Sequence, residues 1–390
     1  MAKLAEVLRT FGQGYLDTHA LGASQARAWR AILSCRTEAL GGHQLRCERC
    51  GYTHNVFHSC RNRHCPQCQC RAKEAWASAR LQEVLPVPYA HMVFTLPHAL
   101  NALAGAQARW TYEALLRCVG QTLLEFAANP RWLGGQPAIT LVLHTWTQDL
   151  RRHLHVHALV SAGGLDCHGQ WVRPQRQPQF LFPVHALSDV FRAKFLTAMD
   201  RAHAQGRLDR DPQANAWNER RRALLAHRWV VYAKTPPGGP AQVLDYLSRY
   251  THRTAISEER LLGIEGQQVK LRVRADDRGG KRVIRIPGEQ FIERFMQHVL
   301  PRGFKRIRHY GLLAAAHKSQ SLAQARCALN ALPAPDPRAV ESAQDFMKRV
   351  AQIEILRCPR CRHSPLQLLH ALEPVRSLHR HTNHPGRGPP

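Results

Sequence analysis

The chain has 390 residues and carries 55 Lys and Arg against 28 Asp and Glu, a formal net charge of +27. That excess points to a polyanionic partner, most simply nucleic acid, and the length allows two or three domains with a sizeable core. No run of 18 apolar residues is present, which excludes a membrane-spanning helix, and the N-terminal stretch lacks the apolar region of a signal peptide. The expectation is therefore a cytoplasmic protein, nucleoid-associated when bound to DNA. In that reducing compartment its 12 cysteines are metal ligands or free thiols rather than disulfides.

Apolar residues at helical spacing, Leu4, Val7, Leu8, Phe11, Tyr15 and Leu16, then Ala28, Trp29, Ile32 and Leu33, predict two helices with a turn near Gly22. Residues 43–70 change character. Cys47 and Cys50 form one CxxC, Cys65 and Cys68 a second, with 14 residues between them. Each CxxC can present two thiolates to one ion, so this spacing predicts one structural Zn²⁺ on Cys47, Cys50, Cys65 and Cys68. Cys60, His64, Cys70 and His58 are spare candidates. Arg61 and Arg63, with Arg46, Arg49 and Arg71, make the same segment a phosphate-contacting surface.

A helix is expected over 72–84, a strand over 89–96 and helix again over 98–128. Residues 138–147 and 155–160 then read as the two strands of a hairpin. A strand alternates its side chains, so His155 and His157 share a face while Val156 points to the core. His–apolar–His is a compact pincer for a metal ion. A tight turn at Arg151–Arg152 places Gln148 opposite His155, as a third, oxygen ligand. Two imidazoles and one oxygen suit Mg²⁺ or Mn²⁺. His153 has the same parity, so His153–His155 is a competing pair.

Another helix is expected over 184–209 and a short strand over 229–234. The breaker at 235–240 is the clearest in the chain. The following segment has helical spacing at Val243, Leu244, Leu247 and Tyr250. Tyr246 and Tyr250 therefore sit one turn apart on one face, with Arg249, His252 and Arg253 around them. Strand patterns over 261–287 are joined by a turn at 276–280, and a helix follows over 288–300. Residues 302–311 interleave Lys305, Arg306 and Arg308 with Phe304 and Tyr310, which suits backbone tracking and base stacking. Cys358 and Cys361 form a third CxxC, with Cys327 and His363 as its near candidates. The last dozen or so residues read as disordered.

The segments SCRNRHCPQC, HMVFTLP, HLHVHALVSAGG, WVVYAKTP, YLSRYTHR and RGFKRIRHYGLL resemble the transposases of rolling-circle insertion sequences of the IS91 type, a two-tyrosine branch of the HUH endonucleases. The resemblance runs from about Cys47 to Cys361. It implies an α+β fold: an RRM-like nuclease core, an antiparallel sheet with flanking helices, over 86–300. A helical, zinc-ribbon-like DNA-recognition domain would precede it over 1–85, and a basic region with a CxxC would follow over 301–390. It places the HUH pair on His155 and His157, and the nucleophiles on Tyr246 and Tyr250. The implied activity is nicking and rejoining of single-stranded DNA at transposon ends through 5′-phosphotyrosine, with Zn²⁺ structural and Mg²⁺ or Mn²⁺ catalytic. Two rivals stand beside it, a zinc-dependent DNA-binding regulator without catalysis and an HxH metal-dependent hydrolase.

Overall fold

A computed structural model of the chain describes residues 3–68, 76, 79–80, 82–175, 181–208, 210–211, 216–234, 255–275, 280–333, 341–351 and 354–375. Its centre is an antiparallel five-stranded sheet. In chain order its parts are β3 (Tyr89–Thr95), helices α3 (Asn101–Ala106) and α4 (Ala108–Ala128), β4 (Ala138–Trp146), β5 (Arg152–Ser161), then, after a separate two-stranded ribbon of β6 (Gly164–Leu165) and β7 (Trp171–Val172), α5 (Val184–Ala204), α6 (Trp217–Ala226), β8 (Val231–Lys234) and β12 (Ile307–Gly311). The spatial order is β12-β4-β5-β3-β8. Without β12, the order is that of a βαββαβ split unit, the RRM-like arrangement, in which each crossover helix returns the chain to the same sheet face.

Strand parity decides the two faces. Met92, Phe94, Leu141, Leu143, Val156 and Ala158 point to one side and join Leu115, Val119 and Leu123 of α4 with Phe191 and Phe195 of α5 in the main core. Full burial of each large apolar side chain among them is worth roughly 1.5–3 kcal/mol, so this face fixes the register. His91, Val142, His144, His155 and His157 are left on the opposite side.

A second core forms around α1 (Leu4–Thr18) and α2 (Ala23–Ser34). Their apolar stripes are buried as the spacing predicts except at Leu16, which is exposed, and Leu33, which is half-buried, but they pack against distant residues. Their partners are the sheet β11-β10-β9 (β9 Leu261–Glu265, β10 Gln268–Arg274, β11 Lys281–Pro287) and α7 (Gly288–Met296). A third sheet joins the two ends of the chain. β1 (Gly42–Cys47) lies between β2 (Thr53–Phe57) and β13 (Leu366–Leu372), and Cys47 is opposite Leu366. Packing therefore crosses the segment limits expected at 85 and 300. No described helix is long and apolar enough to cross a membrane.

Candidate metal centres and the nuclease face

On the central hairpin, register places His144 directly across from His155, and Val142 across from His157. Opposite residues of an antiparallel pair share a face. The nitrogens that His144, His155 and His157 offer thus lie within 4.8 Å of one another. Ring centroids are 4.4 Å apart for His144–His157 and 4.9 Å for His155–His157. The third member is His144, not Gln148. A register shift between His144 and Trp146, and a left-handed Leu150 at φ 64°, place the turn nearer β4 than a turn at Arg151–Arg152 would. Gln148 then belongs to the loop. Its Oε1 accepts the Arg274 N–H at 3.0 Å, and its carbonyl accepts from the Arg260 guanidinium.

The surroundings orient the trio. His155 Nδ1–H donates to the His153 carbonyl at 3.1 Å, which leaves the Nε2 lone pair free. His157 Nδ1 lies 2.9 Å from His91 Nε2 on β3. Trp146 stacks on His144 with centroids 4.5 Å apart. His153 turns to His98 instead, with Nδ1 to Nε2 at 3.0 Å, and stands outside the trio. Burial is the main cause that pushes His155 down to about 4 and His157 well below its ordinary value, with neighbouring histidines adding to it. Neutral imidazoles present lone pairs, so the donor chemistry fits a cation.

Among the described residues, eight cysteines form two groups: Cys35, Cys60, Cys65 and Cys68, and Cys47, Cys50, Cys358 and Cys361. The single site expected on Cys47, Cys50, Cys65 and Cys68 is therefore not assembled. Each CxxC has a different partner pair. The four thiols Cys35, Cys60, Cys65 and Cys68 meet because α2 ends at Ser34 and Arg36 N–H donates to the His58 carbonyl at 3.0 Å, bringing Cys35 beside the 58–68 loop. Sulfurs of Cys35 and Cys60 each lie 3.6 Å from Cys68. Tetrahedral thiolates at about 2.3 Å from Zn²⁺ stand about 3.8 Å apart, so this spacing fits an ion. His64 is not a ligand here. It is buried, and its Nε2 accepts the Leu300 N–H at 3.4 Å.

The proposed DNA-contacting residues divide. Arg61 and Lys305 are exposed. Arg63 is also exposed, but its guanidinium donates to the carbonyls of Phe304, at 2.5 Å, and Pro301, at 3.0 Å, tying the zinc segment to the core. Burial draws the Arg306 guanidinium down to about 10, with the like charge of Arg63 adding to it. Arg308 lies over the Phe304 ring at 5.8 Å, and Phe304 is itself buried. Tyr310 donates to the Leu116 carbonyl at 3.3 Å. Residues 302–311 thus seat a sheet-edge strand, and their aromatic rings are not a base-stacking platform. Arg249, Arg253, Tyr246 and Tyr250 lie outside the described residues.

A buried histidine beside the site gives a test of the hairpin anchor. His298 contacts Thr145 Oγ1 at 3.0 Å and donates from Nε2 to the Leu150 carbonyl at 2.9 Å. Burial pushes its pKa down to about 4, whereas an unfolded histidine titrates near 6.5. On acidification the unfolded chain takes the proton first. The contribution is full above about pH 6.5 and is lost as pH falls toward about 4, at up to about 1.4 kcal/mol per pH unit. Stability against denaturant should therefore fall as pH drops across that window, and His298→Gln should make the pH slope shallower. An identical slope in the variant would refute the assignment.

Comparison with known proteins follows this geometry. Residues 138–321 match a family model described as "Putative transposase", and residues 7–96 match one described as "Transposase zinc-binding domain". The first range holds the histidine trio; the second holds Cys35, Cys60, Cys65 and Cys68. The chain is 41% identical over 372 residues to "Putative transposase y4qJ" of Sinorhizobium fredii, covering 92% of both proteins. It is 27% identical over 343 residues to the "Transposase for insertion sequence element IS801" of Pseudomonas savastanoi pv. phaseolicola, covering 85% of this chain and 80% of that one. With 41% identity over nearly the full length of one transposase and both domain models matched in place, the chain belongs to the IS91-type insertion-sequence transposases that carry a zinc-binding domain toward the N-terminus.

Proposed function

We propose that the chain nicks and rejoins single-stranded DNA at transposon ends through 5′-phosphotyrosine intermediates, driving rolling-circle-like transposition. The observation that carries this reading is the set of three imidazoles, His144, His155 and His157, on one face of an RRM-like sheet. Tyr246 and Tyr250 are assigned as nucleophiles. The described residues on either side of their segment support this. Lys234 pairs with His91 at the β8 edge, and Ala255 and Ile256 join the core on which Trp146 packs.

Tyr246 Oη attacks phosphorus in line. The Oη–P bond forms as the P–O3′ bond breaks, the phenol gives up its proton, and the 3′ oxygen ends as a hydroxyl. The phosphodiester is exchanged rather than hydrolysed, so rejoining needs no ATP. Tyr250, four residues on in the sequence, carries out the same transfer on a second strand. A divalent cation held by His144, His155 and His157 would supply polarisation of the scissile phosphate and charge stabilisation at the leaving oxygen. His91 and the His153 carbonyl hold two of those imidazoles in place. Zn²⁺ on Cys35, Cys60, Cys65 and Cys68 would staple the recognition domain, with Arg61 and Lys305 toward the DNA backbone.

The deciding experiment is incubation with labelled single-stranded DNA carrying element ends, followed by a denaturing gel. A labelled band at the protein's size is expected; DNA binding without any adduct would support a non-catalytic regulator. The donor set adds a further expectation. Three nitrogens suit Mn²⁺ better than Mg²⁺, which favours oxygen. At equal limiting concentration, adduct should form at least about tenfold faster with Mn²⁺. Equal rates with the two ions would contradict an all-imidazole site.

A further inference from the structure

We propose that Cys47, Cys50, Cys358 and Cys361 bind a second zinc ion, which clasps the far end of the chain onto its zinc-binding domain. The last two cysteines lie outside both matched family ranges, 7–96 and 138–321. The four sulfurs lie within 4.8 Å of one another. Cys47 to Cys361 and Cys50 to Cys358 are both 3.6 Å. That is far beyond a disulfide bond of about 2.05 Å and close to the roughly 3.8 Å edge of a zinc tetrathiolate.

The backbone repeats itself around the two pairs. Gly51 N–H donates to the Cys47 carbonyl at 2.9 Å, and Arg362 N–H to the Cys358 carbonyl at the same distance. The residue after each second cysteine is left-handed, Gly51 at φ 69° and Arg362 at φ 56°. An arginine in that region is held against its own preference. Arg36 and Arg61, which follow Cys35 and Cys60 of the other cluster, are left-handed too, at 56° and 50°. A left-handed residue thus follows a cysteine in both thiol groups, while the full knuckle turn with its N–H to carbonyl bond recurs at Cys47–Cys50 and Cys358–Cys361.

Physical need points the same way. The sheet of β2, β1 and β13 has almost no apolar core. Every residue of β2 but Phe57 is exposed, and β13 exposes all but Leu366 and Leu372. The buried cluster beside it consists of Cys47, Cys358 and Leu366. So small a core does not hold a three-stranded sheet unaided, and a structural metal supplies folding free energy directly. Binding releases the protons of the four thiols and leaves a formally dianionic centre. Exposed Arg46 and Arg49 on one knuckle, and Arg357, Arg360 and Arg362 on the other, surround it with positive charge. Zinc would then make one basic surface out of chain segments about 310 residues apart.

The test is Co²⁺ reconstitution of the full-length protein. Thiolate-to-cobalt charge transfer counts sulfur sites and is silent for a histidine-only site. Two equivalents per chain are expected to give these bands, falling to one in Cys358→Ser/Cys361→Ser. In the zinc-loaded wild type, residues 354–375 should resist limited proteolysis, and in the variant they should be cut. One sulfur-bound equivalent in the wild type overturns the proposal. So does an unchanged count of two in the variant, or a non-reduced protein in which these four thiols form two disulfides. Should the variant be insoluble, the wild-type titration alone decides between one site and two.

Discussion

Changing His144 to alanine should slow adduct formation at limiting Mn²⁺ by about a hundredfold or more, whereas Gln148→Ala should stay within about threefold. The difference follows from register. His144 sits opposite His155 and is closed in by the stacked Trp146 ring, so its loss removes one of three donors and opens the site. The Gln148 amide oxygen is spent on the Arg274 backbone N–H. His144 is buried, so a general loss of fold must be separated from loss of metal. Two readouts do this. Mn²⁺ affinity, followed by electron paramagnetic resonance, should weaken in His144→Ala, and raised Mn²⁺ should recover part of the rate. DNA binding at fixed salt should be unchanged, because the basic surface is elsewhere. Wild-type Mn²⁺ affinity in His144→Ala, or equal damage from Gln148→Ala, would return the third ligand to the loop.

Residues with local period were legible in the sequence. Alternation located the strands of the central hairpin within a few residues, and it put His155 and His157 on one face with Val156 in the core. The helical stripes of residues 4–33 are buried at most of the positions where the spacing puts them, with Leu16 left exposed. What the spacing did not reveal is which element meets which. The hairpin centre depends on a register shift and on one left-handed leucine, and no pattern of apolar residues encodes either. A His at 144, of the right parity on a neighbouring strand, was the available signal for the missed ligand. The cysteines show the same limit. A CxxC specifies a knuckle but not its partner, and the partners here are a lone Cys35 with Cys60 in one case and a pair near the far end in the other. The basic run at 302–311 misleads for a related reason. Charge composition is blind to burial, and Phe304 and Arg306 are drawn inward while Lys305 stays in water.

The largest loss is expected from the tyrosines. Tyr246→Phe/Tyr250→Phe should fold, bind single-stranded transposon ends with wild-type affinity and form no covalent adduct at all. Phenylalanine keeps the ring and its packing and removes only the hydroxyl, so the double variant isolates chemistry from stability. A phenol with pKa near 10 is a weak nucleophile at neutral pH, and it gains reactivity only beside positive charge. The sequence supplies that charge at Arg249 and Arg253, on the same segment. The histidine face supplies more when its cation is bound. The single variants separate the roles. Each should lose transposition, because two strands must be transferred, while one of them should still give adduct on a first strand. Tyr246 is assigned the first attack, so Tyr250→Phe should be the one that still cuts. Peptide mapping of the wild-type adduct should then find the nucleotide on Tyr246. An adduct that persists in the double variant would show that neither phenol is the nucleophile. A hydrolytic product without adduct would move the assignment to a water-using metal hydrolase on the same three histidines.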